Sequence, residues 1–398
     1  MPDPARIAAR LQELWDIALG PGGGADRPAY SAAEAAAMRL VAGWAREAGL
    51  KPALDAFGNL WALPADRGGR LVTSGSHVDT VPDGGRYDGA LGTVLALEAA
   101  AELGARTGLL ICAAEEAPRF GAGTMGSRQL TGALSRAALE RLRDADNVSA
   151  ADALAAYLEM LDDLPRIAPP LDRLRAHAEV HVAQRRALRE LGVVTAVASP
   201  RRFAVRIEGQ AGHSGEVSMA ERRDALAAAA EVVLAVEAAA RAEPPETVAT
   251  VGTLAVEPGA VSVIPGAVHL AIDVRGIDAE SLARVEAAIR TAVDEIAQAR
   301  QVDAQLQVTR AGEPVAMDRR LVAAALAASG ELGIPATETW SGAGHDAQHL
   351  TALTPALLVF VPLHGGESHT PQEGADMDEI IQAARVVVSV LGAEVDAV

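Results

Sequence analysis

Apolar and polar positions along this chain fall into blocks that change period, and each change marks an element. Near the start, Ile7, Leu11, Leu14 and Trp15 recur at helical spacing and predict an amphipathic helix. Gly20-Pro21-Gly22-Gly23-Gly24 then breaks the pattern as a loop, and Ser31 with Glu34 has capping-box spacing for a second helix running to about Ala48. Short strands are predicted at 51–56, 60–64 and 70–75, and a helix at 91–104. The stretch 107–114 is apolar without alternation, as a strand buried on both faces would be, and it empties directly into Glu115 and Glu116. From Arg175 to Val182 the period becomes two: His177, Glu179 and His181 share one face, and Ala176, Ala178, Val180 and Val182 the other.

Near Ser199-Pro200 a second unit begins. Residues 203–209 alternate as a half-exposed strand, Met219 to about Ala242 reads as an alanine-rich helix, 247–256 and 268–275 as strands, 278–299 as helix and 302–310 as strand. That β-α-β-β-α-β order is a split βαβ sandwich. After about Glu313 the chain returns to apolar helices and strands and ends in another glycine- and histidine-rich loop, 363–373, so the smaller unit interrupts the first. The expected class is α/β, with parts at 1–200, 201–311 and 312–398.

Composition narrows the function. The 398 residues are half apolar, enough for a large core, yet only 3% aromatic, so alanine and valine must fill it. A formal charge of −18 argues against nucleic acid or an anionic membrane as partner. The single cysteine, Cys112, lies inside an apolar run and is expected to be a buried small hydrophobe. The amino terminus lacks the pattern of a signal peptide, and no stretch approaches a membrane span, so the expected location is the cytoplasm.

The chemistry gathers at strand exits. His77, Asp79 and Asp88 lie in the glycine-rich stretch Ser74 to Gly92, a composition that fits either a metal site or a hydrogen-bonded turn. Glu115 and Glu116 repel each other at the end of a buried strand unless a cation or a shared proton compensates them. His181 is a further candidate ligand, with His177 its competitor on the same face. Two divalent cations roughly 3.5–4 Å apart would neutralise these carboxylates and acidify a bridging water. Glu115 cannot easily ligate alongside its neighbour, because successive strand-end side chains diverge, which leaves it free to act as general base.

These residues, together with Arg119-Phe120-Gly121, Gly126-Ser127-Arg128, Gly209-Gln-Ala-Gly-His213, Arg222-Arg-Asp-Ala225, Ser341-Gly-Ala-Gly-His-Asp346 and Ser368-His369, closely resemble the amidase, hydantoinase and carbamoylase branch of the binuclear zinc aminoacylase and carboxypeptidase superfamily. The likeness runs from about Ala29 to the carboxyl end. It implies a metallopeptidase-like catalytic domain, a mixed sheet flanked by helices, interrupted by a lid that also forms a homodimer. It implies two metal ions, zinc or manganese with cobalt or nickel as alternatives, on His77, Asp88, Glu116, His181 and His369, Asp88 bridging. Glu115 matches the general base, Asp79 the residue orienting His77, and His213 an oxyanion donor, while Gln184 and Arg275 match substrate contacts.

The implied reaction is hydrolysis of a linear amide or ureido C–N bond in a small carboxylate-bearing substrate, such as an N-carbamoyl-L-amino acid or an allantoate-like ureide. An aminoacylase or dipeptidase, or a non-catalytic small-molecule binder, are the alternatives. Three departures bear on substrate. His181-Val-Ala-Gln-Arg185 replaces the usual His-Ile-Glu-Gln-Gly, Ser262 stands where an asparagine is usual, and Glu216-Val-Ser-Met219 replaces Thr-Thr-Pro-Met. Arg185 either adds a cation at the site or begins a solvated helix through Arg189.

Overall fold

The computed structural model describes residues 2–65, 69–104, 107–185 and 187–396, which divide into two compact units: Met1–Thr195 with Ala316–Val398, and Ala196–Val315.

The larger unit is built on a nine-stranded sheet. Its chain runs α1 (Pro4–Trp15), α2 (Ala32–Glu47), β1 (Lys51–Leu54), β2 (Leu60–Leu63), β3 (Leu71–Ser74), α3 (Ala90–Leu103), β4 (Thr107–Ile111), α4 (Met125–Leu130), α5 (Arg136–Leu139), α6 (Ala150–Met160), β5 (Leu174–Val182) and β6 (Leu191–Val197). After the smaller unit it resumes with β13 (Val315–Ala316), α9 (Arg319–Leu332), β14 (Ala336–Ser341), α10 (Asp346–Leu350), β15 (Ala356–Val361) and α11 (Met377–Asp396). The strand order is β1-β2-β4-β3-β5-β15-β6-β13, with β14 beside β6.

Strands β4, β2, β3 and β15 are buried along their whole length, which explains their unbroken apolar runs. Helix α3 is buried from Ala90 through Ala100 and packs against α1, β5 and α11. A helix apolar on every side belongs in a core. Its one acidic group there, Glu98, takes charge-assisted bonds from Arg6 and Arg10 and so ties α1 to α3. Cys112 is free and buried, packed with Trp61, Leu63, Leu71, Leu110, Leu130 and Leu350.

The smaller unit holds β7 (Ser199–Glu208), β8 (Gly212–His213), α7 (Ala225–Arg241), β9 (Val248–Glu257), β10 (Val263–Ile264), β11 (Ala267–Gly276), α8 (Ala279–Arg300) and β12 (Asp303–Ala311). Its four-stranded antiparallel sheet has the order β12-β7-β11-β9, and its core joins Phe203, Val205 and Ile207 of β7 to Val232 and Val236 of α7 and to Val285 and Ile289 of α8.

Two expectations are corrected. The alanine-rich helix begins at Ala225, not Met219: Met219–Glu221 is a single 3-10 turn, and the Asp224 side chain caps α7 by accepting from the Leu226 and Ala227 N–H groups. No helix starts at Arg185; the chain turns there, Leu188 N–H donating to the Arg185 carbonyl, and enters β6, a strand the charged run had concealed. Arg186 lies outside the described residues.

Candidate metal centre

Four neighbouring strand ends build the site. β4 runs parallel to β3, β3 to β5 and β5 to β15, so their carboxyl ends open on one edge of the sheet, where such sheets bind ligands. His77, Asp79 and Asp88 follow β3, Glu115 and Glu116 follow β4, His181 lies at the end of β5, and His369 follows β15.

The two buried imidazoles are oriented alike. His77 Nδ1 lies 3.0 Å from the Asp79 carbonyl oxygen and His181 Nδ1 3.2 Å from that of Val182. Each Nδ1–H is therefore placed to donate to backbone, which leaves each Nε2 to take either a proton or a metal ion. The two Nε2 atoms are 3.3 Å apart, and both face Asp88 Oδ1, at 3.5 Å from His77 and 3.1 Å from His181. The other oxygen, Asp88 Oδ2, is 3.2 Å from His369 Nε2, which is itself 3.5 Å from Glu116 Oε1. Two groups of donor atoms, His77-Asp88-His181 and Asp88-Glu116-His369, thus share Asp88. Imidazole nitrogens and carboxylate oxygens facing one another in a largely buried cluster need protons or a cation between them, and imidazole with carboxylate is a donor set that divalent ions such as zinc or manganese take. The residues present offer two candidate ligand groups for divalent ions.

The ionisation of the groups follows from the same crowding. Burial pushes Glu115 well above the usual carboxylate range, His77 opposing and Glu116 and Asp346 adding to it. Burial and Asp88 raise Glu116 to about 7. Asp88 is held well below its ordinary value although burial opposes this, because His181, His369 and His77 surround it. Its hydrogen bond to Asp88 lifts His369 to about 9. Burial works against protonating His77, yet Glu115, Asp79 and Asp88 outweigh it and raise that imidazole as well. Protons and metal ions compete for these Nε2 lone pairs.

Supporting residues fix the acidic pair. The Asp79 carboxylate accepts from the Glu115 and Glu116 N–H groups, with Oδ1 3.5 Å from His77 Nδ1. Its carbonyl, rather than its carboxylate, makes the shorter contact with His77. Ser31 and Glu34 make half of the capping box: the Ser31 hydroxyl accepts from Glu34 N–H, while the Glu34 carboxylate accepts from Tyr30 N–H and Ala114 N–H instead of Ser31 N–H. Ala114 has φ 55°, a left-handed turn that aims Glu115 and Glu116 out of the strand. Gly89, at φ 65°, caps α3 where a Cβ would lie 2.4 Å from the His77 ring.

Of the two candidate histidines on β5, His181 joins the donor groups and His177 does not. His177 bonds Thr73 Oγ1 through Nδ1, and burial pushes it down to about 3. The Gln184 amide donates toward Asp88 Oδ2 and lies 3.1 Å from His369 Nε2. Arg185 stacks 4.4 Å above the Trp340 ring. In the smaller unit His213 pairs with Val263 on the β8–β10 ladder, Ser262 just precedes that strand with its carbonyl accepting from Ser214 N–H, and the His213 and Ser262 side chains are exposed. Arg275 lies on the polar side of β11, its Nε donating to Asp273. Sequence reading missed Glu34, Glu373, Ser368 and His345 as parts of the centre. The last lies edge-on to His181 at 4.5 Å, its Nε2 on Ser341 Oγ.

Comparison with known proteins gives the family. The family described as Peptidase family M20/M25/M40 matches residues 74–393. An N-carbamoyl-L-amino acid amidohydrolase of Geobacillus stearothermophilus is 35% identical, over 96% of each chain. An allantoate amidohydrolase of Bacillus subtilis is 32% identical over 86% of each. A crystal structure of an amidase of the hydantoinase/carbamoylase family from Burkholderia multivorans superposes with a TM-score of 0.88 at 32% identity, covering 98% of both chains. With sequence and fold in agreement, this chain belongs to the M20/M25/M40 peptidase family, in its hydantoinase/carbamoylase branch.

Proposed function

We propose that the protein is a metal-dependent amidohydrolase that cleaves a linear C–N bond in a small carboxylate-bearing ureide, an N-carbamoyl-L-amino acid or an allantoate-like compound. The observation that carries this is the pair of donor groups sharing Asp88, with Glu115 beside them at 3.8 Å from His77 Nε2. His77, His181 and Asp88 would hold one divalent ion and Asp88, Glu116 and His369 a second. Bound there, the ions supply Lewis acidity and lower the pKa of water.

The protein's own groups do the rest. Glu115, buried and already disposed to carry a proton, accepts one from the attacking water as its oxygen adds to the carbonyl carbon, then delivers it to the nitrogen that leaves. Asp79 fixes the backbone that aims Glu115. Gln184 lies where its amide can meet substrate beside His369. The roles of oxyanion donor for His213 and of substrate contacts for Ser262 and Arg275 belong to the same reading, as does a homodimer formed through the smaller unit.

The test is a panel of N-carbamoyl, N-acetyl and N-formyl amino acids, allantoate and dipeptides, assayed with added manganese or zinc. Carbamoyl or ureide substrates should release ammonia, chelator should abolish turnover and metal restore it. Glu115→Gln should keep the fold and bound metal yet lose roughly two to four orders of magnitude in kcat. A kcat within tenfold of the parent would remove Glu115 from the general-base role, and preference for dipeptides would make the protein a peptidase.

A further inference from the structure

One buried carboxylate joins two loops that sequence keeps far apart. Glu373, 6% exposed, accepts from the N–H groups of Tyr87 at 2.7 Å and Asp88 at 3.0 Å through one oxygen, Oε1. Its other oxygen, Oε2, lies 3.2 Å from Ser368 Oγ, which is also 3.0 Å from Asp88 Oδ2. The loop carrying Asp88 passes directly over this carboxylate: a Cβ on Gly85 would meet the Glu373 carboxyl carbon at 2.2 Å, so a glycine is required there. On the other side, Glu373 N–H donates to Thr370 O and closes the turn that follows His369, a residue itself held at φ 60°.

We infer that Glu373, acting through Ser368, is a positioning residue that sets the Oδ2 half of Asp88 for the second metal position while leaving the Oδ1 half alone. The inference rests on the two-metal reading given above. The selectivity follows from geometry. Asp88 Oδ1 faces His77 and His181, whereas Oδ2 faces His369 and is the oxygen that Ser368 touches. A hydroxyl donating to Oδ2 fixes the rotation of the carboxylate about its Cβ–Cγ bond, and the two backbone bonds fix where that bond begins. Ser368 precedes His369, so the same contact also holds the imidazole against Oδ2. Second partners of metal ligands typically govern affinity by 10–100-fold.

The test is stepwise metal binding by the full-length protein, stripped and then titrated with zinc against a chromophoric chelator, with circular dichroism verifying the fold. The parent should take up two ions with separable affinities. Glu373→Ala should weaken one of them by roughly 10–100-fold and leave the other within about threefold. Ser368→Ala, which keeps the backbone bonds, should weaken the same ion. Glu373→Gln should lose less than Glu373→Ala, because its amide oxygen still accepts from Tyr87 and Asp88, and Glu373→Leu, which fills the space but accepts nothing, should lose about as much as Glu373→Ala, whereas a purely space-filling role would let leucine rescue. Unchanged affinities in Glu373→Gln and Ser368→Ala, or equal weakening of both ions, would overturn the inference. A parent that binds no zinc would instead sink the two-metal reading and this proposal with it.

Discussion

At the scale of single residues, the centre is a set of lone pairs and negative charges that bind protons when they do not bind metal. His369 keeps its proton to about pH 9 and Glu116 to about pH 7, and each must lose it to act as a ligand. Metal uptake at neutral pH is therefore expected to release protons, and affinity to fall as pH drops below about 9. Calorimetric titration in buffers of differing ionisation enthalpy measures this; a binding heat independent of buffer would contradict the assigned ligands. The sign for folding runs the other way. Both groups have folded values above their unfolded ones, so what they contribute to the metal-free protein is present below the unfolded values and lost as pH rises through 7 for Glu116 and 9 for His369. Loading with metal reverses the preference. The clustering of these donors was legible in sequence because histidine and carboxylate at strand ends are chemically pointed. Glu34 was not: its spacing from Ser31 gives a local explanation, and only the fold reveals that its carboxylate reaches Ala114 instead. Glu373 was hidden likewise, since its partners Tyr87 and Asp88 lie in another part of the chain.

At the scale of elements, uniformly apolar strands and the buried helix α3 could be read directly, because burial on every side leaves a run with few polar interruptions. What failed was punctuation. Met219-Ala-Glu221 has helical composition, yet the good cap is Asp224, and the helix starts where its first N–H groups find an acceptor. Strand β6 was lost behind arginines that look solvated. The attachment of α1 gives a quantitative check. Glu98 is 2% exposed and is held by Arg6 and by Arg10, itself 8% exposed. Glu98→Ala would leave the Arg10 guanidinium buried without its partner, at a cost of about 3–5 kcal/mol. Denaturant unfolding should register that loss, while replacing both Arg10 and Glu98 by apolar residues should recover most of it; a Glu98→Ala protein as stable as the parent would show that α1 is held by its apolar face alone.

At the scale of the whole molecule, the smaller unit leaves both outer strands of its sheet, β9 and β12, unpaired on one side among the described residues. Val248 and Leu254 of β9 are 47% and 41% exposed, and Leu234 of α7 is 66% exposed. An open strand edge beside exposed aliphatic groups is the kind of surface a two-fold pairing covers. Light scattering should give a mass near twice 40.9 kDa, and charged residues at Leu234 and Val248 should reduce it to that of one chain. An active protein of 40.9 kDa at all concentrations would dispose of the dimer. No helix among the described residues is long and apolar enough to cross a membrane.

The position of β15 has a consequence for biosynthesis. Among the described strands it comes last in the chain, yet it lies between β5 and β6, from which the smaller unit separates it in sequence. A ribosome that has just finished Val315 has produced His77, Asp88, Glu116 and His181 but not His369, and the sheet at that moment lacks β15 between β5 and β6 as well as β14 and the completed β13 beside β6. The nascent protein can hold one ion's ligands and not the other's. Insertion of β15 then joins β5 to β6 and brings His369 to the proposed second metal position, so that occupancy of that position would report that β15 is in place.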